Sequence, residues 1–294
     1  MTAIREPGKI NPDTTLIDFG FSDVLGVGGV YLIESGKSCL IDSGTTTGAP
    51  RIIKKLKELN AFPPDYILLT HSHWDHCQGV PLLREKAMKE QKSVQVLASE
   101  VAIPLLADQS FNEVFHAKER FQNIQDVGSL KEGDTVDLDG ILLKIYSTPG
   151  HSKDQISILD EKNKNLFVGD TFGMKVANNA FLSSIMPPFC NKDDFTSTIQ
   201  KLKQIDYDSI SLAHFGLIYD NEARSILDEA QTIFNQTWQI FETAEQNNQL
   251  DDMKYVYQLI MQEIKPTIPE FELQKTSMRI ILKGINGFRR IVRK

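Results

Sequence analysis

Apolar positions along the chain follow two rhythms. Short runs dense in β-branched and aliphatic residues come first: TTLIDFG from Thr14, GVYLIES from Gly29 and SCLIDSG from Ser38. Gly26, Gly28, Gly29 and Gly36 punctuate them, so they read as strands joined by turns. APRIIKKLKELN then carries Ile52, Ile53, Leu56 and Leu59 at helical spacing. DYILLT reads as a buried strand, GVPLLREKAMKEQ as a helix and SVQVLAS as a strand. A helical stretch is expected from about Val101 to Asn123. Strands follow at DTVDLDG, ILLKIYSTPG, QISILDE and NLFVGDT.

Residues 171–190 show no period and read as a loop rich in apolar side chains. So long a loop beside a strand end is more often functional than idle. NKDDFTSTIQKLKQID reads as a capped helix and YDSISLAHFG as a strand ending in a histidine. From Asn221 onward only helical spacing remains, with KPTIPE breaking the last two helices. The pattern predicts an α/β core over 1–220 and a helical extension over 221–294. Strands outnumber helices in the core and hairpin-like pairs are frequent. That suits two mixed sheets packed together better than one doubly wound parallel sheet.

Composition narrows the function. Hydrophobic residues make up 41% and charged residues 24%, as in globular proteins in water. No apolar run approaches a membrane span, and the first residues lack a signal-peptide core, so the expectation is a cytoplasmic protein without a membrane partner. A net charge of −7 argues against nucleic acid as partner. Cys39, Cys77 and Cys190 are too few and too scattered for a disulfide framework, which fits a reducing compartment. The basic end KGINGFRRIVRK is either a solvated helix end or an anion-binding wall.

THSHWDHCQG holds three of the six histidines between Thr70 and Gly79. Extended residues at i and i+2 point the same way, so His71 and His73 can grip one ion. Asp75 and His76 lie past the bend and can face a second ion. Imidazole and carboxylate suit zinc, iron or manganese. A lone H-x-H would be weak against a polar turn; H-x-H-x-D-H is far stronger. His151, Asp170 and His214 each follow a strand, where ligands are usually presented. One histidine added to each group, with a carboxylate between, would complete two metal sites, and Asp170 is the natural bridge. Asp42, at another strand end, either orients a ligand histidine or caps a turn. His116 sits in a helical context without an acidic partner and reads as structural or surface. Trp74 reads as a packing anchor.

H-x-H-x-D-H followed in order by His151, Asp170 and His214 resembles the metallo-β-lactamase fold superfamily over about residues 10–220. The resemblance implies an αβ/βα sandwich and two divalent ions. His71, His73 and His151 would hold the first ion, Asp75, His76 and His214 the second, with Asp170 bridging. Asp170 departs from true β-lactamases of this fold, which lack it. Within the superfamily the chain is similar to glyoxalase II and, more closely, to PqsE-type thioesterases of quinolone signalling, through THSHWDHCQGVPLL, GHSKDQISILDEKNKNLFVGDTFG and TSMRIIL. In that group C-terminal helices cover the metals, and Ser277 matches a serine that faces substrate. Met174 departs from a pocket glutamate at that position, and Phe215 from the usual glycine after the last histidine.

The resemblance thus implies a dinuclear hydrolase that attacks an acyl thioester with a metal-bridging hydroxide, Asp75 handling the proton. A glyoxalase II, a lactonase, a phosphodiesterase or a regulator retaining the metal site are the alternatives. Met174, Phe181 and Phe195 are candidate walls of the acyl pocket, with plain core packing as the other reading of each. Phe172 and Phe189 are further candidates. The expected partner is a small acyl substrate, and the expected state a monomer or homodimer.

Overall fold

The computed structural model describes residues 3–263 except 5, 22, 116–119, 176–180, 187 and 215. Ser277, the basic end, His116 and Phe215 therefore lie outside the described residues. The chain opens with β1 (Ala3–Ile4), β2 (Gly8–Lys9), β3 (Thr14–Asp18), β4 (Gly29–Glu34) and β5 (Ser38–Ile41). Then come α1 (Ala49–Glu58), β6 (Tyr66–Leu68), the one-turn α2 (Trp74–Cys77), α3 (Val80–Lys89), β7 (Gln95–Ser99), α4 (Ala102–Ala107) and a 3₁₀ turn (Gln109–Phe115). β8 (Val127–Leu130), β9 (Thr135–Asp137), β10 (Leu142–Ser147), β11 (Ile156–Asp160), β12 (Asn165–Gly169), β13 (Met174–Lys175) and β14 (Phe181–Leu182) lead to α5 (Lys192–Leu202). β15 (Ser209–Leu212), β16 (Gly216–Tyr219), α6 (Asn221–Gln246) and α7 (Met253–Glu263) follow.

Contacts divide the chain into two compact units. The first comprises 1–148, 154–169 and 206–223, and it carries two seven-stranded sheets. One sheet runs β2-β3-β4-β5-β6-β7-β8 and the other β1-β16-β15-β12-β11-β10-β9. β5, β6, β7 and β8 pair in parallel, a geometry that requires crossovers. α1, α3 and α4 lie within those crossovers.

β4 shows why its run looked uniformly apolar. Val30 and Leu32 belong to the core cluster shared with Ile52 and Leu56 of α1 and Leu83 of α3. The alternate residues Tyr31 and Ile33 join the cluster between the sheets, with Leu143, Ile145, Ile158 and Phe167. A strand buried on both faces loses the polar alternation of a surface strand. Each such side chain contributes about 1.5–3 kcal/mol on burial.

Two expectations need correction. The stretch from Val101 to Asn123 is not one helix: α4 stops after Ala107 and Asp108 turns extended, at φ −134° and ψ 98°. Gln109 and Asn112, polar but buried, lie on the 3₁₀ turn that follows. Residues 171–190, read as a loop, include the paired strands β13 and β14. β1, β2, β8 and β16 were not anticipated.

The second unit comprises 149–153, 170–205 and 224–294. Asn191 caps α5, its side chain accepting from the Asp193 and Asp194 amides at 2.9 and 3.0 Å. Phe195 of α5 stacks on Phe234 of α6 with ring centroids 3.9 Å apart, and Phe234 on Trp238 at 5.8 Å. No described helix is long and apolar enough to cross a membrane. Cys39, Cys77 and Cys190 are free and buried. Burial pushes the Cys190 thiol up to about 12 and the other two above the usual range, which disfavours the thiolate.

Candidate metal centre

The ligand loop leaves β6 and is fastened to the end of β5. Asp42, just past β5, adopts a left-handed backbone (φ +62°) and is buried. Its amide donates to Leu68 O at 2.9 Å. Its carboxylate accepts from Thr70 N at 2.7 Å, Thr70 Oγ1 at 2.9 Å and His76 Nδ1 at 2.8 Å. A carboxylate oxygen accepts, so the 2.8 Å contact places a proton of His76 on Nδ1 and directs Nε2 away from Asp42. Thr70 spends its own proton on Asp42, so its oxygen accepts from His71 Nδ1 at 3.2 Å. One carboxylate thereby sets the tautomer of His76 directly and of His71 through Thr70.

The histidines are buried and close together. Ring centroids of His71 and His73 are 4.5 Å apart, and those of His71 and His76 4.1 Å. Trp74 is buried between Phe21 and Phe121, at 5.8 and 6.2 Å between centroids, as an anchor would be. Ser72 N donates to the buried Asp154 carboxylate at 2.8 Å.

His214 follows β15, and its Nδ1–H donates to Val27 O at 3.2 Å. This leaves Nε2 facing Asp75 Oδ2 at 3.4 Å. The other oxygen, Oδ1, lies 4.0 Å from His76 Nε2. One ligand atom each from Asp75, His76 and His214 falls within 4.8 Å of the others. This is a donor set of two imidazoles and a carboxylate, suited to a borderline divalent cation.

The second unit holds His151 and Asp170. His151 Nδ1–H donates to Ser184 O at 2.9 Å, and Nε2 lies 3.7 Å from Asp170 Oδ2. The turn before it is clamped to the start of α5: Asn191 N donates to Gly150 O at 2.8 Å and Thr198 Oγ1 to Pro149 O at 2.6 Å. Gly150 has φ +143°, and a Cβ there would meet Phe195 Cα at 2.6 Å, so no other residue fits unstrained. Met174 is half-buried on β13 opposite Leu182. Phe181 is buried and stacks on Phe172 at 6.3 Å. Phe195 is fully buried in the α5–α6 stack, where packing accounts for it. Lys153 Nζ sits over the Phe189 ring at 4.5 Å.

A profile of the metallo-beta-lactamase superfamily matches residues 24–214. The chain belongs to the metallo-beta-lactamase superfamily. Its two sheets with helices are the mixed α/β sandwich of that superfamily, as the sequence predicted. The superfamily typically binds divalent metals, and the histidine cluster described above could hold one. A beta-lactamase-like protein 2 homolog from Caenorhabditis elegans is 23% identical over 236 residues, covering 78% of this chain and 69% of that protein. A hydroxyacylglutathione hydrolase from Francisella philomiragia is 29% identical over 149 residues, 51% of this chain and 48% of that enzyme. The match thus spans about half the length of that hydrolase. An archaeal metallo-beta-lactamase superfamily protein from Sulfolobus tokodaii superposes with a TM-score of 0.66 at 19% identity, over 94% of this chain and 98% of that one. That likeness concerns the fold.

Apart from Asp42, the sequence did not point to the groups that hold the candidate ligands. Thr70, Asp154, Gln109 and Asn112 carry no motif, and the carbonyls of Val27 and Ser184 have no side-chain signature. Thr70, adjoining His71, was the one neighbour that spacing could have flagged.

Proposed function

We propose that this protein is a dinuclear metal-dependent hydrolase that cleaves an acyl thioester. In this reading His71, His73 and His151 would hold one ion and Asp75, His76 and His214 the other, with Asp170 as a ligand common to both. The observation that carries it is the Asp75 carboxylate facing Nε2 of both His76 and His214, while both rings donate through Nδ1. Two divalent ions, when bound, would supply an acidified water and an electrophilic centre for the carbonyl oxygen. Asp75 would orient the attacking water and take its proton. Asp42 keeps His76, and through Thr70 His71, in the tautomer that ligates. Phe21 places apolar surface edge-on against the His214 ring at 5.3 Å. Met174, Phe181 and Ser277 are the proposed substrate contacts.

The preference for a thioester draws support from the similarity to a hydroxyacylglutathione hydrolase, at 29% identity over half the chain. The test is a panel of acyl-CoA, acyl-glutathione, lactone and bis-nitrophenyl phosphate substrates. Each is assayed with enzyme stripped by chelator and reloaded with zinc, iron or manganese. Turnover of a thioester by the reloaded protein and none by the stripped protein is expected. No thioester turnover with any metal overturns the reading.

A further inference from the structure

The 3₁₀ turn Gln109–Phe115 meets the ligand loop at one residue. His73 has an extended backbone, φ −63° and ψ 146°, immediately before α2. The two peptide groups flanking it are both bonded by one side chain. Asn112 Oδ1 accepts from Trp74 N at 3.1 Å, and Asn112 Nδ2 donates to Ser72 O at 3.2 Å. A carboxamide thus does for residue 73 what a neighbouring strand does for a strand residue. It also satisfies the Trp74 amide, which as the first residue of a helix has no partner within it.

The orientation of that amide is fixed from behind. Nδ2 donates a second time, to Gln109 Oε1 at 2.9 Å. The same Gln109 oxygen accepts from Gln78 Nε2 at 2.9 Å and Cys77 Sγ at 3.3 Å. Flipping Asn112 would set donor against donor and acceptor against acceptor. Phe115, on the same turn, packs edge-on against the His73 ring at 4.9 Å between centroids. Asn112 is completely buried, so these bonds form away from competing water.

We infer that Asn112 is a positioning residue for His73, holding its backbone so that the imidazole meets the metal ion it serves. The inference rests on the metal-centre reading above and adds a residue which that reading does not contain. Asn112→Ala removes both bonds to the loop while leaving every proposed ligand in place. Loss of such an orienting contact costs about 10–100-fold in metal affinity.

The experiment is a competition titration of the chelator-stripped full chain with zinc against a chromophoric chelator. Cobalt titration in parallel gives the ligand-field absorption of each ion. His73→Ala and His214→Ala identify which ion is which. Asn112→Ala is expected to weaken the His73 ion at least tenfold and shift its cobalt bands. The His214 ion keeps its affinity and the metal-free melting temperature moves little. Unchanged affinities, or equal weakening of both ions with a lowered metal-free melt, would overturn the inference and leave Asn112 a packing residue. If Asn112→Ala does not fold, Asn112→Asp, nearly the same shape, is read against the same two outcomes. Binding of a single ion by the unaltered protein sinks the two-metal reading instead; Asn112 is then judged on whether that ion weakens.

Discussion

His76 and His151 present the same atom, Nε2, by different means. His76 is held by the buried Asp42 carboxylate, in a unit where polar side chains fasten the ligand loop. His151 is held by a main-chain carbonyl, Ser184 O, in a unit whose described core includes an aromatic stack. The carboxylate strengthens the basicity of its imidazole and is removable by one substitution. The carbonyl cannot be removed, only displaced, so His151 depends on the backbone around Gly150 and on the packing of α5. His76 is thus oriented by a side chain, whereas His151 is oriented by a backbone carbonyl whose position follows from packing and main-chain hydrogen bonds.

That contrast can be broken most forcefully in the aromatic stack. Phe195→Ala deletes a fully buried ring in contact with Phe234 and should cost about 3–5 kcal/mol. Urea unfolding monitored by circular dichroism would read it, and a cost under about 1 kcal/mol would remove the packing half of the comparison.

Asp42→Asn attacks the polar half. Asparagine tolerates the same left-handed backbone, so the change isolates the charge. Its amide nitrogen would face donors from Thr70 or His76, costing about 1–3 kcal/mol of metal-free stability. Metal affinity should fall about 10–100-fold, measured by chelator competition. Affinity within twofold of the unaltered protein would show that the carboxylate does not orient His76.

Gly150→Ala sharpens the claim about His151. A methyl group at 2.6 Å from Phe195 Cα, on a glycine-type backbone, should cost about 1–3 kcal/mol. A melting temperature equal to that of the parent would mean the turn is less constrained than its geometry implies. The smallest effect is expected at Lys203, whose ion pair with Asp228 is 2.6 Å long but exposed to solvent. Lys203→Met should change stability by no more than about 1 kcal/mol. A larger loss would mean that charge, as well as aromatic packing, holds the second unit.

The sequence by itself determined the broad fold class, through apolar runs buried on both faces, and the candidate donors, through H-x-H-x-D-H and the strand-end His151, Asp170 and His214. Both signals are local: period and spacing survive in one dimension. Asp42 was half legible, as a strand-end acid open to two readings. The tertiary structure alone brought it to 2.8 Å from His76. The same holds for the stretch from Val101 to Asn123, whose helical spacing is overridden where Gln109 and Asn112 bond the ligand loop. Their partners lie 37 to 40 residues away in sequence. No local pattern encodes such bonds, because a buried carboxamide is acceptable only when a distant backbone supplies its partners.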